Sequence, residues 1–369
     1  MERGGDALVA GRNRASNGAV ARPLPHLERA IWIHRARLAQ LEPRMMTAPK
    51  TPEQEARSGF ALDVRRGLSQ ARRTLPPRYF YDALGSLLFE AICRLPWYPI
   101  TRAESALLDH HAEAIVSGVP GLDRLIELGC GSGDKVARLA EALPARARPY
   151  EVHLVDVSAQ ALELSESALA RLPNVTAVAH CAAYEAGLRA ATETPGPRGP
   201  TLVLFLGSNI GNFDPPAARR LLAEIRAALR PGDGLLLGAD LVRAEEDLLL
   251  AYADPLGVTA AFNKNVLLRM NAELGADFDL TAWDHRAIWN ADAARIEMHL
   301  VSRARQRVRV PAAEIEAEFA AGETIWTESS YKYTPASLDA LGRDVDLRSA
   351  AQWIDPSARF STTLFLADA

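Results

Sequence analysis

The sequence predicts an α/β protein: a doubly wound parallel sheet interrupted by a smaller α+β module. Three observations carry this. Between Leu107 and Gly238, short apolar runs alternate with helix-like stretches, the pattern of strands buried by helices on both faces. A glycine-rich turn, Gly129-Cys130-Gly131-Ser132-Gly133, joins the first apolar run to the first of those helices. The alternation breaks near Asp240 and resumes only after Tyr331.

In chain order, strands are expected at Leu125–Leu128, Tyr150–Val155, Val175–His180, Thr201–Leu206 and Gly234–Ala239. Helices are expected near Asp134–Leu143, Ala159–Leu172 and Pro216–Leu229. Pro215-Pro216 suits a helix start and Arg230-Pro231-Gly232 a helix stop. The intervening module holds a helical segment and then alternating runs at Ala287–Trp289, Arg295–Val301 and Gln306–Val310. A helix at Ala336–Leu341 and strands at Leu347–Trp353 and Arg359–Leu366 complete the chain, the last two as a hairpin closing the main sheet.

The glycine turn is the most informative segment. Glycine reaches backbone angles that other residues avoid, and its missing side chain lets a ligand lie against the main chain. The helix beyond it offers unpaired N–H groups and partial positive charge. Glu127 precedes the turn, and Asp156 ends the next strand, where a carboxylate suits the paired hydroxyls of a ribose. The spacing is G-x-G-x-G, which resembles the S-adenosylmethionine (SAM) loop of class I methyltransferases. That resemblance implies a Rossmann-like SAM-binding sheet with an inserted α+β substrate-binding lobe.

Composition narrows the partners. Of 369 residues, 48% are hydrophobic and 24% charged, with a net charge of −4. That is a globular composition without general attraction to nucleic acid or anionic membrane. No apolar run approaches the roughly 20 residues needed to span a bilayer. Cys93, Cys130 and Cys181 form no C-x-x-C pair, which argues against a zinc site and fits a reducing cytoplasm. His110-His111 are adjacent on a helix and share no face, so no metal site is expected. Residues 1–50, rich in Arg, Ala and Gly, read as a disordered extension; a transit peptide, or a start at Met45 or Met46, are the alternatives.

Several dense segments lie outside the glycine turn. Phe80-Tyr81-Asp82 and Trp97-Tyr98-Pro99-Ile100-Thr101-Arg102-Ala103-Glu104 precede the sheet. Gly207-Ser208-Asn209-Ile210-Gly211-Asn212 follows the strongest strand, and Tyr252-Ala253-Asp254-Pro255 and Phe262-Asn263 lie in the module. Thr327-Glu328-Ser329-Ser330 sets a carboxylate and a hydroxyl two residues apart, on one face if the segment is a strand. From about Ser58 onward, these motifs in this order resemble the L-histidine Nα-methyltransferases of ergothioneine biosynthesis, SAM-dependent enzymes that trimethylate free histidine to hercynine.

The resemblance implies roles by position. Tyr98 matches the tyrosine near the substrate amine, and Asn212 and Tyr252 the pair that holds the amine and carboxylate. Glu328 and Ser330 match the pair on the imidazole nitrogens, Met298 a wall of that pocket, and Tyr81 an aromatic beside it. Catalysis is expected to be positioning by Tyr98 and Asn212. For SAM, Gly129 and Gly131 match the loop, Asp156 the ribose ligand and Lys135 a partner for the methionine carboxylate. Ala183 and Tyr184 occupy the adenine-facing segment, with Ala183 standing where the family has Asp. Trp97, Pro99 and Asn209 also depart from the family pattern.

The implied organisation is a substrate lobe of residues 51–103 plus 245–332 and a SAM domain of residues 104–244 plus 333–369, acting as a cytoplasmic monomer on a small molecule. A relative acting on another amino acid, such as tryptophan, is the nearest alternative; Glu328 with Met298 argues against a bulky indole. Asn212-Phe213-Asp214-Pro215-Pro216-Ala217 is similar to an exocyclic-amine methylase signature, but Ala217 has no ring to stack on a flipped base. A non-catalytic SAM-binding regulator would not need an amino-acid pocket.

Overall fold

A computed structural model of the chain describes residues 52–145, 147–196 and 199–368, and residues 55–369 cluster as one compact unit. The reading of residues 1–50 as an extension lies outside the described residues.

The strands, in chain order, are β1 (Arg73–Thr74), β2 (Arg124–Leu128), β3 (Tyr150–Asp156), β4 (Val175–Cys181), β5 (Thr201–Phe205), β6 (Gly234–Asp240), β7 (Trp283–Asn290), β8 (Arg295–Ser302), β9 (Gln306–Val310), β10 (Ile315–Phe319), β11 (Thr324–Tyr331), β12 (Leu347–Asp355) and β13 (Phe360–Ala367). Seven of them form the main sheet in the order β12-β13-β6-β5-β2-β3-β4. From β6 to β4 all neighbours are parallel, while β13 runs antiparallel to both β6 and β12. This is the class I methyltransferase sheet, with the closing hairpin where the sequence placed it.

Every residue of β2, β5 and β6 is buried, as expected for central parallel strands covered on both faces. The chain leaves β2 for β3 and β4, then returns to β5 on the other side. Ligands in such sheets sit beyond the carboxyl ends of the strands at this reversal. The glycine turn after β2 and the Gly207 turn after β5 therefore become neighbours.

A second sheet has the order β1-β11-β8-β7, and β9 pairs with β10 apart from it. Its core is aromatic: Phe80, Phe262, Trp283 and Phe319 are all buried. β1, which precedes the main sheet in sequence, pairs in parallel with β11.

The sequence reading did not include the helices Pro52–Leu68, Ala83–Arg94 and Ile100–Ser117 or the strand β1, and two further elements differ from it. The helix Tyr184–Glu193 has only Gly187, Leu188 and Ala191 buried, too narrow a stripe to announce itself by periodicity. Gly187 is the reason it fits: a Cβ there would lie 2.1 Å from Val155 Cγ1 on β3. β10 was also missed, although Ile315-Glu316-Ala317-Glu318-Phe319 alternates between buried and exposed positions.

Candidate functional site

A cavity opens beyond the carboxyl end of β5. Tyr81, Tyr98, Asn212, Tyr252, Met298, Glu328 and Ser330 all line it, so seven positions spread over 250 residues of sequence converge on one wall system. Each arrives for a local reason. Asp82 caps the helix Ala83–Arg94, its carboxylate accepting from Gly85 N–H (2.7 Å), which fixes Tyr81 at the helix entrance. Asp214 caps the helix Pro215–Ala228 by accepting from Ala217 N–H (2.7 Å). That leaves the Asn212 amide, in the preceding 3₁₀ turn, unused by the cap and facing the cavity.

Glu328 and Ser330 share one face of β11, and Glu328 sits opposite Met298 of β8 in the ladder. Burial raises the Glu328 carboxyl from 4.5 to about 7, against the opposing pull of Lys332. Among the described residues no side chain or backbone N–H donates to this carboxylate. Burial also holds the Tyr81 and Tyr98 hydroxyls well above the usual phenol range, so both stay protonated donors. The rings form edge-on contacts, Tyr98 with Tyr252 at 6.2 Å and Tyr81 with Phe262 at 5.6 Å between centroids.

The wall behind Ser330 is a buried polar network. Tyr252 Oη and Ser330 Oγ lie 2.8 Å apart, and the Lys332 ammonium donates to both at 2.9 Å. Lys332 Nζ also lies 2.8 Å from Asp240 Oδ2, with both side chains fully buried. Arg243 pairs with the other Asp240 oxygen. Desolvation opposes the lysine charge, but Asp240 outweighs it and the pKa is raised. One layer further out, His285 Nε2–H donates to the Tyr252 carbonyl (2.7 Å), and its Nδ1 accepts from the Asn263 amide (2.9 Å). Burial lowers the His285 pKa, so the neutral ring fits this pair of bonds.

Beside the cavity lies the crevice of the glycine turn. Gly129, Gly131 and Gly133 all have positive φ (80°, 54° and 77°), which other residues adopt only under strain. A Cβ at Gly131 would meet only open space, whereas one at Gly129 would lie 3.0 Å from Asn209 Nδ2 and 3.2 Å from Tyr184 Oη. Asp156 accepts from Gly131 N–H (3.2 Å) and Ser158 N–H (2.9 Å), so it shapes the turn while remaining half-exposed. Ala183 is the N-cap of the Tyr184–Glu193 helix and supplies no side-chain cap.

Lys135 is not free above this crevice. Its ammonium lies 2.6 Å from Glu104 Oε2, with a quarter of the lysine side chain exposed and none of the glutamate. Glu104 also accepts from Gly207 N–H with both oxygens (2.8 and 2.9 Å). Glu127 lies nearby with its Oε2 unpaired; burial raises it to about 8, Lys135 opposing and Glu104 reinforcing the shift.

The profile of a family described as histidine-specific, SAM-dependent methyltransferases matches residues 60–367. The chain belongs to this family. It is 43% identical over 310 residues to the histidine N-alpha-methyltransferase of Mycolicibacterium smegmatis, covering 84% of this chain and 95% of that one. The histidine N-alpha-methyltransferase of Mycobacterium tuberculosis is 40% identical over 322 residues, covering 87% and 99%. A 4-dimethylallyltryptophan N-methyltransferase of Penicillium roqueforti is 27% identical over 306 residues, covering 79% and 88%.

The crevice residues fit the family's cosubstrate: space above Gly131 for a backbone-hugging ligand, and a half-exposed carboxylate at the end of β3 for ribose hydroxyls. Sequence reasoning missed Lys332 and Asp240. The signal was present for the lysine, since the two-residue period linking Glu328 to Ser330 reaches Lys332 next. Asp240 gave none, because its partner lies more than ninety residues away. Asn209, noted only as a departure, lines the cavity and approaches Gly129 as well, placing it at the junction of the two compartments.

Proposed function

We propose that this enzyme transfers methyl groups from SAM to the α-amino group of free L-histidine, three times, to give hercynine, the first step towards ergothioneine. The observation that carries the reading is the Glu328 carboxylate, desolvated and without a protein donor, two residues from the Ser330 hydroxyl on one cavity wall. An imidazole offers two ring nitrogens, and this pair supplies an acceptor for one and a donor for the other. Asn212 and Tyr252 hold the amino-acid end, with Tyr98 beside the amine.

SAM supplies an electrophilic methyl on its sulfonium. The chain's own residues bring the neutral amine into line with it, and such alignment contributes on the order of 7–11 kcal/mol in favourable cases. Tyrosine faces suit an amine that becomes quaternary. No covalent intermediate is needed. We assign residues 51–103 and 245–332 to the substrate lobe and the rest of the described chain to SAM, acting as a cytoplasmic monomer.

Purified protein with SAM and a panel of free amino acids, followed by mass spectrometry, tests this. Mono-, di- and trimethylated histidine are expected; consumption of another amine with histidine untouched overturns the substrate. Asp156→Ala is expected to weaken SAM binding by about 10–100-fold, the range for a hydrogen bond to a charged group. Calorimetric titration with SAM checks it, and an unchanged affinity would remove Asp156 from the ribose site.

A further inference from the structure

Resting on the histidine reading, we propose that Lys332 sets the donor–acceptor polarity of the imidazole pocket, acting through Tyr252 and Ser330 without touching substrate. An ammonium has three donors and no lone pair. Toward Tyr252 Oη and Ser330 Oγ, each 2.9 Å away, it can only donate. Those two oxygens are 2.8 Å apart, so one hydroxyl hydrogen lies between them. Either oxygen could supply it, and the phenol, as the stronger acid, is assigned as the donor. Ser330 Oγ then accepts from both Lys332 and Tyr252, and its lone pairs are occupied.

The Ser330 hydrogen has no protein acceptor among the described residues and is left for the cavity that Ser330 lines. The wall therefore presents one obligate donor, from Ser330, and one acceptor, Glu328. That set complements a neutral imidazole, which has one N–H and one bare nitrogen. An imidazolium brings two N–H groups and an indole one N–H with no acceptor, so each leaves a buried group unpaired, which costs more than a made bond gains. Without the lysine, Ser330 could turn and accept. Selectivity for the ring would then rest on Glu328 alone.

The same contacts explain how a charge is tolerated here. Asp240, at the end of β6, anchors Lys332 just past the end of β11, and Arg243 stays on Asp240 when the lysine is removed. Lys332→Met therefore leaves no lone carboxylate behind.

The test is a double-mutant cycle with Lys332→Met, Ser330→Ala and the pair, reading KM and kcat for histidine, SAM affinity and melting temperature. Lys332→Met is expected to raise the histidine KM by about 10–100-fold with SAM affinity within about twofold. In the Ser330→Ala background the lysine effect should shrink to within about threefold, because the group it orients is gone. Full additivity, or an equal loss of SAM affinity, overturns the proposal. Should Lys332→Met fail to fold, Asp240→Asn/Lys332→Met removes both charges and is read the same way. Unfolding of both variants would assign the lysine to the fold alone and also overturn it. A wild-type enzyme that ignores histidine sinks the functional reading itself; one that uses histidine with an additive cycle sinks only the role of Lys332.

Discussion

Glu328→Gln is expected to lower kcat/KM for histidine while making the ligand-free protein more stable at pH 8. The first effect follows from exchanging a charge-assisted bond for a neutral one, a loss of about 10–100-fold. Glu328→Ala should lose more, because the imidazole N–H is then left without any acceptor. Pockets built on hydrogen bonds discriminate by up to about 10⁴–10⁵ against ligands that leave them unpaired. SAM affinity should stay within about twofold, since Glu328 lies outside the crevice of the glycine turn. Equal losses in both ligands would show that the residue supports the fold, not the ring.

The second effect has a definite sign. Burial raises the Glu328 carboxyl from 4.5 to about 7, so between those values the folded protein holds a proton that the unfolded chain has released. Stability conferred by that proton is present below about pH 4.5 and is lost as pH rises through about 7. Gln carries no such group. Allowing for water reaching the cavity, the variant should gain about 2 kcal/mol at pH 8, less than the shift taken at face value. Its advantage should vanish near pH 4–5. Thermal melts of both proteins across this range check the window; a pH-independent difference would locate the effect in packing instead. On the proposed reading, the same carboxylate that weakens the empty fold recognises the substrate, a conflict expected at functional sites.

The contrast between what the residues announced and what they hid follows from distance along the chain. Tyr81, Tyr98, Asn212, Tyr252, Glu328 and Ser330 sit in short dense motifs whose order carries the family resemblance, Met298 enters through that resemblance alone, and the alternation of β11 put two of them on one face. The main sheet was equally readable: Gly234–Ala239 was expected and Gly234–Asp240 is found, because an apolar run buried on both faces has few other structures available. By contrast, Lys332–Asp240 and Lys135–Glu104 are pairs formed by tertiary contact alone, with nothing local in either residue to name the other. Lys135 shows the consequence: the family resemblance marks it as a partner for the cosubstrate's carboxylate, and nothing local announces the buried glutamate that the structure places against it. The Tyr184–Glu193 helix was hidden by the opposite problem, a local pattern too weak to stand without Val155 against Gly187.

Glu104→Ala is expected to be among the most destabilising single substitutions and to reduce SAM binding with it. Glu104 is fully buried. It holds Lys135 at 2.6 Å, and it satisfies Gly207 N–H at the turn after β5. Removing one partner of a buried ion pair typically costs about 3–5 kcal/mol, because the other charge is left uncompensated. Lys135 keeps a quarter of its side chain exposed, so the lower end of that range applies. Two glycines show how closely the pair is fitted. A Cβ on Gly238 would lie 2.1 Å from Glu104 Oε1, and one on Gly207 would lie 2.9 Å from Lys135 Nζ. Gly238→Ala should therefore displace the carboxylate and reproduce part of the Glu104→Ala defect without removing any charge. Glu104→Gln separates the two functions, keeping an acceptor for Gly207 while leaving Lys135 without its counter-charge. If Glu104→Gln melts and binds SAM like wild type, the turn alone matters and the ion pair is incidental. If it falls with Glu104→Ala, the charge on Lys135 is held for the cosubstrate crevice by a residue from the helix Ile100–Ser117, and the glycine turn is only half of that site.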